Sequence, residues 1–276
     1  MESLRPLLTT YAYNITGSLE EAKDIVQDAY LHYVQADRGH VRDEKAYLVR
    51  TVINRSINRK KQQQLQAADY PGEWLPEPVS TESADSSLLR GDMLSYSLMV
   101  LLEKLNPRQR AVFILREAFD YDHAEIAATL NISEDYSRLL LTRARKQLDA
   151  PVIQAHTGTD IRKYQDAIIR NDLKKLEQLL NEDITVISDG GGKVSAAINP
   201  VSGRTAAMAM LLGLYKKAYM HFDLRPGEVN NQPAILHYYN GELIGCQVFT
   251  FLNGAISNVF IIRNPDKLRH LKKNPA

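Results

Sequence analysis

Cysteine is nearly missing from this chain, and so is any long apolar segment. Cys246 is the one cysteine among 276 residues, which excludes an intramolecular disulfide and a metal site built from cysteines. We expect it to be a buried structural thiol in a reducing compartment. No apolar run reaches the roughly 20 residues that a helix needs to cross a bilayer, and the N-terminal residues show no secretory signal. These absences predict a cytoplasmic protein with no membrane association.

An excess of charge of either sign is also absent. The formal net charge is +1, so any binding of nucleic acid must rely on basic residues that cluster locally. A chain of this length suits about two domains, each with its own core. The glycine stretch 189–193 lacks the Lys-Ser/Thr ending of a phosphate-binding loop, which leaves Lys193 a structural or interface role. No metal motif is visible, and we expect neither a metal nor a cofactor.

What the chain does contain is the pattern of a helix-turn-helix in residues 105–148. Asp122 is followed three residues later by Glu125, a capping-box pattern that predicts the start of a short helix. Asn131 can end that helix in a left-handed conformation, and Ser133 can cap the helix that follows. This spacing is typical of proteins that read duplex DNA.

The second helix of this pair has an apolar stripe and a basic outer face. The stripe consists of Ser137, Leu141, Ala144 and Leu148. The outer face offers hydrogen-bond donors to phosphates and base edges. The candidate readers in the major groove are Arg138, Leu139, Thr142 and Arg143. A merely solvated basic face is the alternative for a lone pattern of this kind, but the spacing of caps and turn favours DNA reading.

Residues 4–64 predict helices with little strand signal. Gly17 and Ser18 mark a helix break and a new N-cap. The helix that follows has one apolar face and one acidic face with an apolar member, the latter made by Asp24, Gln27, Asp28 and Leu31. A further helix places Tyr47, Val49, Val52 and Ile53 in the core and exposes Arg50, Asn54, Arg55, Asn58, Arg59, Lys60 and Lys61. Arginines interleaved with asparagines suit phosphates and unpaired bases, although solvated helix faces are the alternative reading of both sets.

A linker rich in Pro, Ser and acidic residues occupies about residues 62–91, and we expect it to be extended and largely irregular. The single tryptophan, Trp74, lies within it in the run WLPEP. A large indole in a polar linker usually has an apolar partner. A docking peptide and a chance aromatic in a disordered segment are both open.

After Pro151 the pattern changes from helical to mixed. Residues 160–181 show helical spacing, and the pattern then predicts a strand at 184–188, the loop 189–193 and a second strand at 194–198. A helix begins near Gly203, and four strands follow, separated by Pro226-Gly227, Asn240-Gly241 and Asn253-Gly254. Because Asn-Gly between apolar runs is a strong hairpin signal, we expect a curved antiparallel sheet packed against helices.

Residues 1–148 resemble a bacterial RNA polymerase sigma factor of the extracytoplasmic-function (ECF) class. The run DIVQDAYL resembles the helix of region 2 that binds polymerase, and AYLVRTVINRSINR resembles the promoter-melting helix. The resemblance implies that Asp24, Gln27, Asp28 and Leu31 contact core RNA polymerase. It assigns the minus-ten promoter DNA to Asn54, Arg55, Asn58 and Arg59. It assigns the minus-thirty-five DNA to Arg138, Leu139, Thr142 and Arg143, where the apolar Leu139 departs from the polar reader of many relatives.

The order of elements in about 158–264 resembles a SnoaL-like domain of the nuclear-transport-factor-2-like fold. WLPEP, DGGGK and NPDKL are similar to three motifs of the ECF subgroup with such a domain fused at its C-terminus. That resemblance implies a multidomain chain of two all-α sigma domains plus an α+β cone: region 2 in 1–64, a linker in 65–91, the region 4 helix-turn-helix in 92–150 and a SnoaL-like regulatory domain with a C-terminal tail in 158–276. The implied interdomain regulatory residues are Trp74, Leu75, Pro76, Glu77, Pro78, Asp189, Gly190, Gly191, Gly192, Lys193, Asn264, Pro265, Asp266, Lys267 and Leu268.

Two rival functions stay open at this point. The SnoaL-like fold also hosts cyclases and isomerases that use an Asp or His as general base, so Asp189, His221 and His237 are candidate catalysts of a fused enzyme. A conventional transcription factor that binds operators without polymerase is the other rival. The leading hypothesis is a promoter-specificity subunit, not an enzyme, with a built-in regulator whose pocket accommodates a small-molecule ligand.

Overall fold

A computed structural model describes residues 2–35, 43–66, 69–81, 92–148 and 161–271. The chain divides into two compact units. Unit 1 comprises Met1–Ala68, Asp85–Leu94 and Leu98–Pro151, and unit 2 comprises Asp69–Ala84, Ser95–Ser97 and Val152–Ala276. Much of the predicted linker therefore clusters with the C-terminal domain. Residues 82–91 of that linker, and residues 272–276 of the predicted tail, lie outside the described residues.

Unit 1 is helical. Its elements are α1 (Arg5–Thr16), α2 (Leu19–Gln35), α3 (Glu44–Gln66), α4 (Tyr96–Leu101, of which the first two residues cluster with unit 2), α5 (Pro107–Glu117), α6 (His123–Leu130) and α7 (Glu134–Leu148). Gly17 ends α1 with φ 76°, a conformation that glycine adopts without steric cost, and its amide donates to the Tyr13 carbonyl. The amide of Glu21 donates to the Ser18 hydroxyl at the start of α2. The predicted helix break is confirmed.

The helix-turn-helix forms as its caps predict. Asp122 and Glu125 make a complete capping box at α6, and Asn131 ends that helix with φ 53°. The Ser133 hydroxyl accepts from the amide of Tyr136 at the start of α7. The predicted stripe of α7 is buried, together with Leu140. The local signals therefore determined both helices and the turn between them.

The helices of unit 2 are α8 (Arg162–Ile169), α9 (Leu173–Leu179) and α10 (Arg204–Lys217). The helical spacing predicted over 160–181 falls in two helices, because the chain breaks at Asn171, which has φ 53°. Asp172 then caps α9 by accepting from the amide of Lys175. Asn171-Asp172, within a segment of helical apolar spacing, thus ends one helix and caps the next.

The strands of unit 2 are β1 (Leu180–Asp189), β2 (Val201–Ser202), β3 (Asp223–Val229), β4 (Gln232–Tyr239), β5 (Glu242–Leu252) and β6 (Ala255–Ile262). They form one sheet in the order β2-β1-β6-β5-β4-β3. The expectation of a purely antiparallel sheet is wrong, because β1 runs parallel to β6. The strand predicted at 194–198 is also wrong, since the strand that pairs with β1 is the short β2.

Turns explain both the success and the failure of the hairpin predictions. Asn240-Gly241 and Asn253-Gly254 have positive φ at both positions and join β4 to β5 and β5 to β6. Pro226-Gly227 was predicted to separate strands, yet both residues lie inside β3. The actual turn is Asn230-Asn231, where both residues have positive φ. β3 ends the sheet, and strand interiors at a sheet edge tolerate proline.

One face of the sheet packs on the helices of unit 2. Its buried cluster includes Ile235, Phe249 and Val259 from the sheet and Leu176 and Leu211 from the helices. No helix long and apolar enough to cross a membrane occurs among the described residues. Unit 1 is thus all-α and unit 2 is α+β, a mixed sheet with helices on one face, and the predicted combination of fold classes is confirmed.

Candidate functional site

The linker of unit 2 lies on the sheet face opposite the helices. Tyr96 packs on Phe260, with ring centroids 5.6 Å apart, and its hydroxyl donates to the Pro76 carbonyl at 2.7 Å. Phe260 alternates with the core residue Val259, so the two point to opposite faces. Ser80 forms a bridge with Val229 at the end of β3. Over residues 73–79 the linker has no helix or strand, as predicted, but it packs on the C-terminal domain instead of lying apart from it.

Asp189 is the centre of the linker contacts. It ends β1, and its side chain is fully buried. One carboxylate oxygen accepts from the Tyr70 hydroxyl at 2.6 Å and from the Gly191 amide at 2.9 Å. The other accepts from the Leu75 amide at 2.9 Å and from the Lys267 ammonium at 2.6 Å. We call Tyr70, Leu75, Asp189 and Lys267 the linker clasp.

Lys267 connects the C-terminal tail to the same point. Its ammonium donates to the Leu75 carbonyl as well as to Asp189. It also lies 4.0 Å from the centroid of the Trp74 indole and 5.2 Å from that of the Tyr70 ring. A desolvated cation over aromatic rings is favourable, so the tryptophan of WLPEP has a defined partner. Leu75 is thus held at its amide and at its carbonyl by two side chains of opposite charge.

The glycines of 189–193 allow the loop and the tail to approach closely. Gly191 has φ +61°, and a Cβ atom there would lie 2.2 Å from the Asn264 amide nitrogen. Gly192 has φ +69°, and its Cβ atom would lie 2.8 Å from Cγ of Pro71 in the linker. Both contacts are shorter than real Cβ contacts allow. Two adjacent glycines are therefore required by space as well as by backbone conformation.

The remaining motif residues surround the clasp. The amide of Asn264 donates to the Asp189 carbonyl, and its side chain donates to the Tyr70 hydroxyl at 3.2 Å. Lys193 forms an ion pair with Asp266, and this hydrogen bond lowers the pKa of Asp266. His270 lies 3.2 Å from buried Glu77. Pro78, Gly190 and Leu268 are buried, Pro265 is half-buried, and Pro76 accepts the Tyr96 bond described above. The structure thus brings WLPEP, DGGGK and NPDKL to one place.

Unit 1 places the residues predicted for polymerase on one exposed face. Asp24, Gln27, Asp28 and Leu31 all lie on the outer side of α2. Leu31 is 52% exposed. Val34, one turn further along, is 55% exposed. Sequence reasoning missed Val34, although it extends the same apolar edge.

The residues predicted for the minus-ten DNA have partners within unit 1. The Asn54 side chain donates to the Thr129 carbonyl of α6 at 3.0 Å. Arg55 pairs with Asp28 at 3.1 Å, and Arg59 pairs with Glu21 at 2.9 Å. Asn58 is exposed. Arg55, a predicted reader of DNA, therefore binds Asp28, a predicted polymerase contact. The bond of Asn54 to Thr129 also joins α3 to the helix-turn-helix.

An ion triad of two buried cations and one partly exposed carboxylate joins the first three helices to the helix-turn-helix. Glu103, in the turn between α4 and α5, pairs with Lys60 of α3 at 2.7 Å and with Arg110 of α5. The Lys60 side chain is 2% exposed and that of Arg110 is fully buried. The prediction that Lys60 is exposed is wrong, because its ammonium also donates to the Thr16 carbonyl. Sequence periodicity placed Lys60 on the outer face and gave no sign of a partner 43 residues away.

The triad makes the packing within unit 1 dependent on pH. Burial would raise the pKa of Glu103, but the charges of Arg110 and Lys60 outweigh it and lower the pKa below the usual 4.5. The unfolded carboxyl therefore takes up a proton first, so the stabilisation is complete above about pH 4.5 and is lost as the pH falls below it. We expect urea midpoints between pH 7 and 3 to fall more steeply for the wild type than for Glu103→Gln. Parallel curves would contradict this role of Glu103.

Helix α7 exposes the four residues predicted to read the minus-thirty-five DNA. Leu139 is 42% exposed, and Thr142 and Arg143 also lie outside the core. Arg138 pairs with Glu134 at 2.8 Å and with Asp135 at 3.1 Å. Exposed ion pairs of this kind contribute about 0–1 kcal/mol. They leave the guanidinium able to exchange these partners for phosphate or base atoms.

The three candidate catalytic residues do not converge. Across the sheet, Asp189 pairs with Ile262, and Ile262 pairs with Cys246, so these three residues share one face. His237 pairs with Gly245, the neighbour of Cys246 on β5. Asp189 and His237 therefore lie on opposite faces of the sheet, and His221 is exposed. Among the described residues, no group of three or more His, Cys, Asp or Glu side chains could hold a metal. Cys246 is fully buried, and burial raises the pKa of its thiol.

Comparisons with known proteins agree with this architecture. Residues 1–66 match Sigma-70 region 2, and residues 95–148 match Sigma-70, region 4. The chain is 30% identical to the ECF RNA polymerase sigma factor SigJ of Mycobacterium tuberculosis, over 96% of this chain and 91% of the relative. It is 26% identical to the "Probable ECF RNA polymerase sigma factor SigI" of the same species, over 97% and 93%.

The similarity extends to a solved structure over nearly the whole chain. The crystal structure of Mycobacterium tuberculosis SigJ matches with a TM-score of 0.79 and 28% identity, covering 98% of this chain and 97% of that one. The family predicted from the sequence is confirmed. The chain belongs to the ECF RNA polymerase sigma factors, which bind core RNA polymerase and promoter DNA to start transcription.

Proposed function

We propose that the C-terminal domain regulates this sigma factor from within the chain, by holding the linker between regions 2 and 4 in the linker clasp. The observation that carries the proposal is the double hold on Leu75, whose amide donates to Asp189 and whose carbonyl accepts from Lys267. Both groups belong to the C-terminal domain, whereas Leu75 belongs to the segment that connects the two promoter-binding regions. The predicted interdomain residues therefore act as one restraint.

The geometry of a promoter gives the restraint its meaning. The minus-ten and minus-thirty-five elements are 25 base pairs apart, which is about 85 Å along the DNA axis at about 3.4 Å per pair. A linker of the predicted 27 residues spans at most about 90–97 Å when fully extended, at about 3.3–3.6 Å per residue. In unit 1, α3 is packed on α5 and α6. To read both elements, regions 2 and 4 must separate, and the linker must be available.

Within this proposal, the exposed face of α2 binds core polymerase through Asp24, Gln27, Asp28 and Leu31. Asn54, Arg55, Asn58 and Arg59 bind the minus-ten DNA once their partners in unit 1 release them. Arg138, Leu139, Thr142 and Arg143 read the minus-thirty-five element. The C-terminal domain acts without catalysis, since Asp189 is committed to the linker. We further propose that the cone binds a small molecule that adjusts the restraint.

Run-off transcription with purified core polymerase tests the restraint. We expect Lys267→Met, on a library of genomic fragments and at limiting sigma factor, to raise promoter-dependent transcripts severalfold, because it releases the Leu75 carbonyl and leaves Asp189 without its counterion. Arg269→Met is the matched control, since Arg269 is an exposed cation two residues along the same tail. Equal output from the two variants, or lower output from Lys267→Met, would count against restraint by the clasp.

A further inference from the structure

A polar cluster occupies one end of the sheet face that packs on the helices. His237 lies two residues after the core residue Ile235 on β4, so both side chains point to that face. Gly245 pairs with His237 across β5. A Cβ atom at Gly245 would lie 3.2 Å from the Ile262 carbonyl oxygen, 3.5 Å from Nδ1 of His237 and 3.7 Å from Cγ of Arg263. Glycine therefore lets the His237 ring and the Arg263 stem approach the same point of β5.

Two buried polar atoms of this cluster have no hydrogen-bond partner in the described part of the chain. They are the Tyr219 hydroxyl and Nε2 of His237. The two residues are 3% and 1% exposed, and their ring centroids are 4.4 Å apart. Burying a polar atom without a partner is unfavourable, and proteins rarely do so unless another molecule completes the bonds. The pair thus indicates a binding position rather than a piece of core.

Aromatic rings connect this pair to the protein surface. Tyr239 is 48% exposed, and its ring lies 5.7 Å from that of Phe222. Phe222 in turn lies 5.6 Å from Tyr219 and 6.3 Å from His237. Met220, 55% exposed, is next to Tyr219 in the chain. Aromatic and apolar walls around a few convergent polar groups are typical of small-molecule sites.

The charge state of the cluster favours an acidic ligand. Burial lowers the pKa of His237 to about 3, although a hydrogen bond to Gln247 raises it, and the charge of Arg263 lowers it further, so the ring is neutral at neutral pH. Burial raises the pKa of Tyr219 to about 12 although the Arg263 charge lowers it, so the hydroxyl keeps its proton and can donate. Arg263, whose guanidinium also donates to the Ser195 carbonyl at 2.7 Å, lowers the pKa of both groups. A donor hydroxyl beside a cation suits an anionic oxygen.

We propose that Tyr219, His237 and Arg263 bind a small planar aromatic acid, with its ring against Phe222 and Tyr239 and its acidic oxygen accepting from the Tyr219 hydroxyl. The site lies on the opposite sheet face from the linker clasp. An effect of the bound acid on the linker clasp would rest on the proposed regulatory function. Binding of the acid is independent of that proposal and can be tested alone.

The test uses the full-length protein and salicylate as the probe in isothermal titration calorimetry. We expect saturable binding to the wild type and at least tenfold weaker binding to Tyr219→Phe. Tyr238→Phe is the matched control, because Tyr238 loses the same hydroxyl on the next residue after His237 and lies under Arg225 instead. The uncharged analogue salicylamide should bind at least tenfold more weakly than salicylate.

Thermal unfolding without ligand separates a binding role from a structural one. Because its hydroxyl has no protein partner, Tyr219→Phe should unfold at the same temperature as the wild type or higher. A lowered unfolding temperature, no saturable binding of salicylate, or equal binding by both Tyr variants would each overturn the site. Equal binding of salicylamide would overturn the acidic class of ligand. None of these outcomes bears on the Lys267→Met transcription result, which tests the regulatory proposal separately.

Discussion

Asp189→Asn should make the Trp74–Leu75 peptide bond roughly 100- to 5,000-fold more susceptible to chymotrypsin. This is the one bond of residues 69–81 suited to the protease, because Tyr70 and Leu75 are each followed by proline. The amide of that bond donates to Asp189, so cleavage requires the linker to leave the clasp. Removing one partner of a buried ion pair costs about 3–5 kcal/mol, and cleavage of a transiently opened segment follows the population of the open form.

Asp183→Asn is the matched control, since Asp183 is an exposed carboxylate on the same strand. Mass spectrometry of the fragments follows cleavage at the one bond, and circular dichroism checks that the domain stays folded. Equal rates for the two variants would show that Asp189 does not hold the linker. A second cleavage inside the sheet, at a similar rate, would show that the whole domain had unfolded.

Local signals account for the parts of the fold that the sequence predicted well. The capping box of Asp122 and the left-handed Asn131 lie within ten residues of one another, so neighbours in the sequence alone specify them. The same holds for the Asn-Gly turns of the sheet. The parallel pairing of β1 with β6 joins segments about 70 residues apart, and no local pattern specifies it.

The candidate site shows the same division. The three motifs mark where the clasp lies. They do not show that Asp189 binds the main-chain amide of Leu75, or that Lys267 binds both Asp189 and the Leu75 carbonyl. Tyr70, just before WLPEP, was not predicted at all, although its hydroxyl donates to Asp189. An aromatic residue followed by Pro-Gly is the signal that could have found it. Contacts to main-chain atoms leave little trace in side-chain patterns.

Two ion clusters in this protein place buried charges at positions that periodicity assigns to solvent or to loops. Asp189 and Lys267 form one, and Lys60, Glu103 and Arg110 form the other. A buried ion pair is a weak source of net stability but is costly to break from one side. Such contacts suit a protein that must hold one arrangement firmly and exchange it for another when polymerase and DNA offer new partners.

Glu103→Gln should separate regions 2 and 4 in the free protein. The substitution leaves Lys60 and Arg110 buried without their carboxylate, and the expected loss is about 3–5 kcal/mol, which is comparable to the stability of a small domain interface. Fluorophores on Lys23→Cys and Lys146→Cys, both exposed positions on α2 and α7, report the separation as reduced energy transfer. Cys246 is fully buried and is thereby shielded from the label.

Two further variants identify the cause of any opening. Glu117→Gln breaks an exposed pair with Arg145, which contributes about 0–1 kcal/mol, so energy transfer should stay at the wild-type value. The triple variant Lys60→Met, Glu103→Leu, Arg110→Met replaces the triad with apolar side chains. It should stay closed, because replacing every member of a buried ion cluster with apolar residues often leaves stability unchanged or raises it. If Glu103→Gln transfers energy as efficiently as Glu117→Gln, the triad does not hold the two regions together. If the triple variant opens, shape rather than charge maintains the contact, and release by polymerase then needs no exchange of ionic partners.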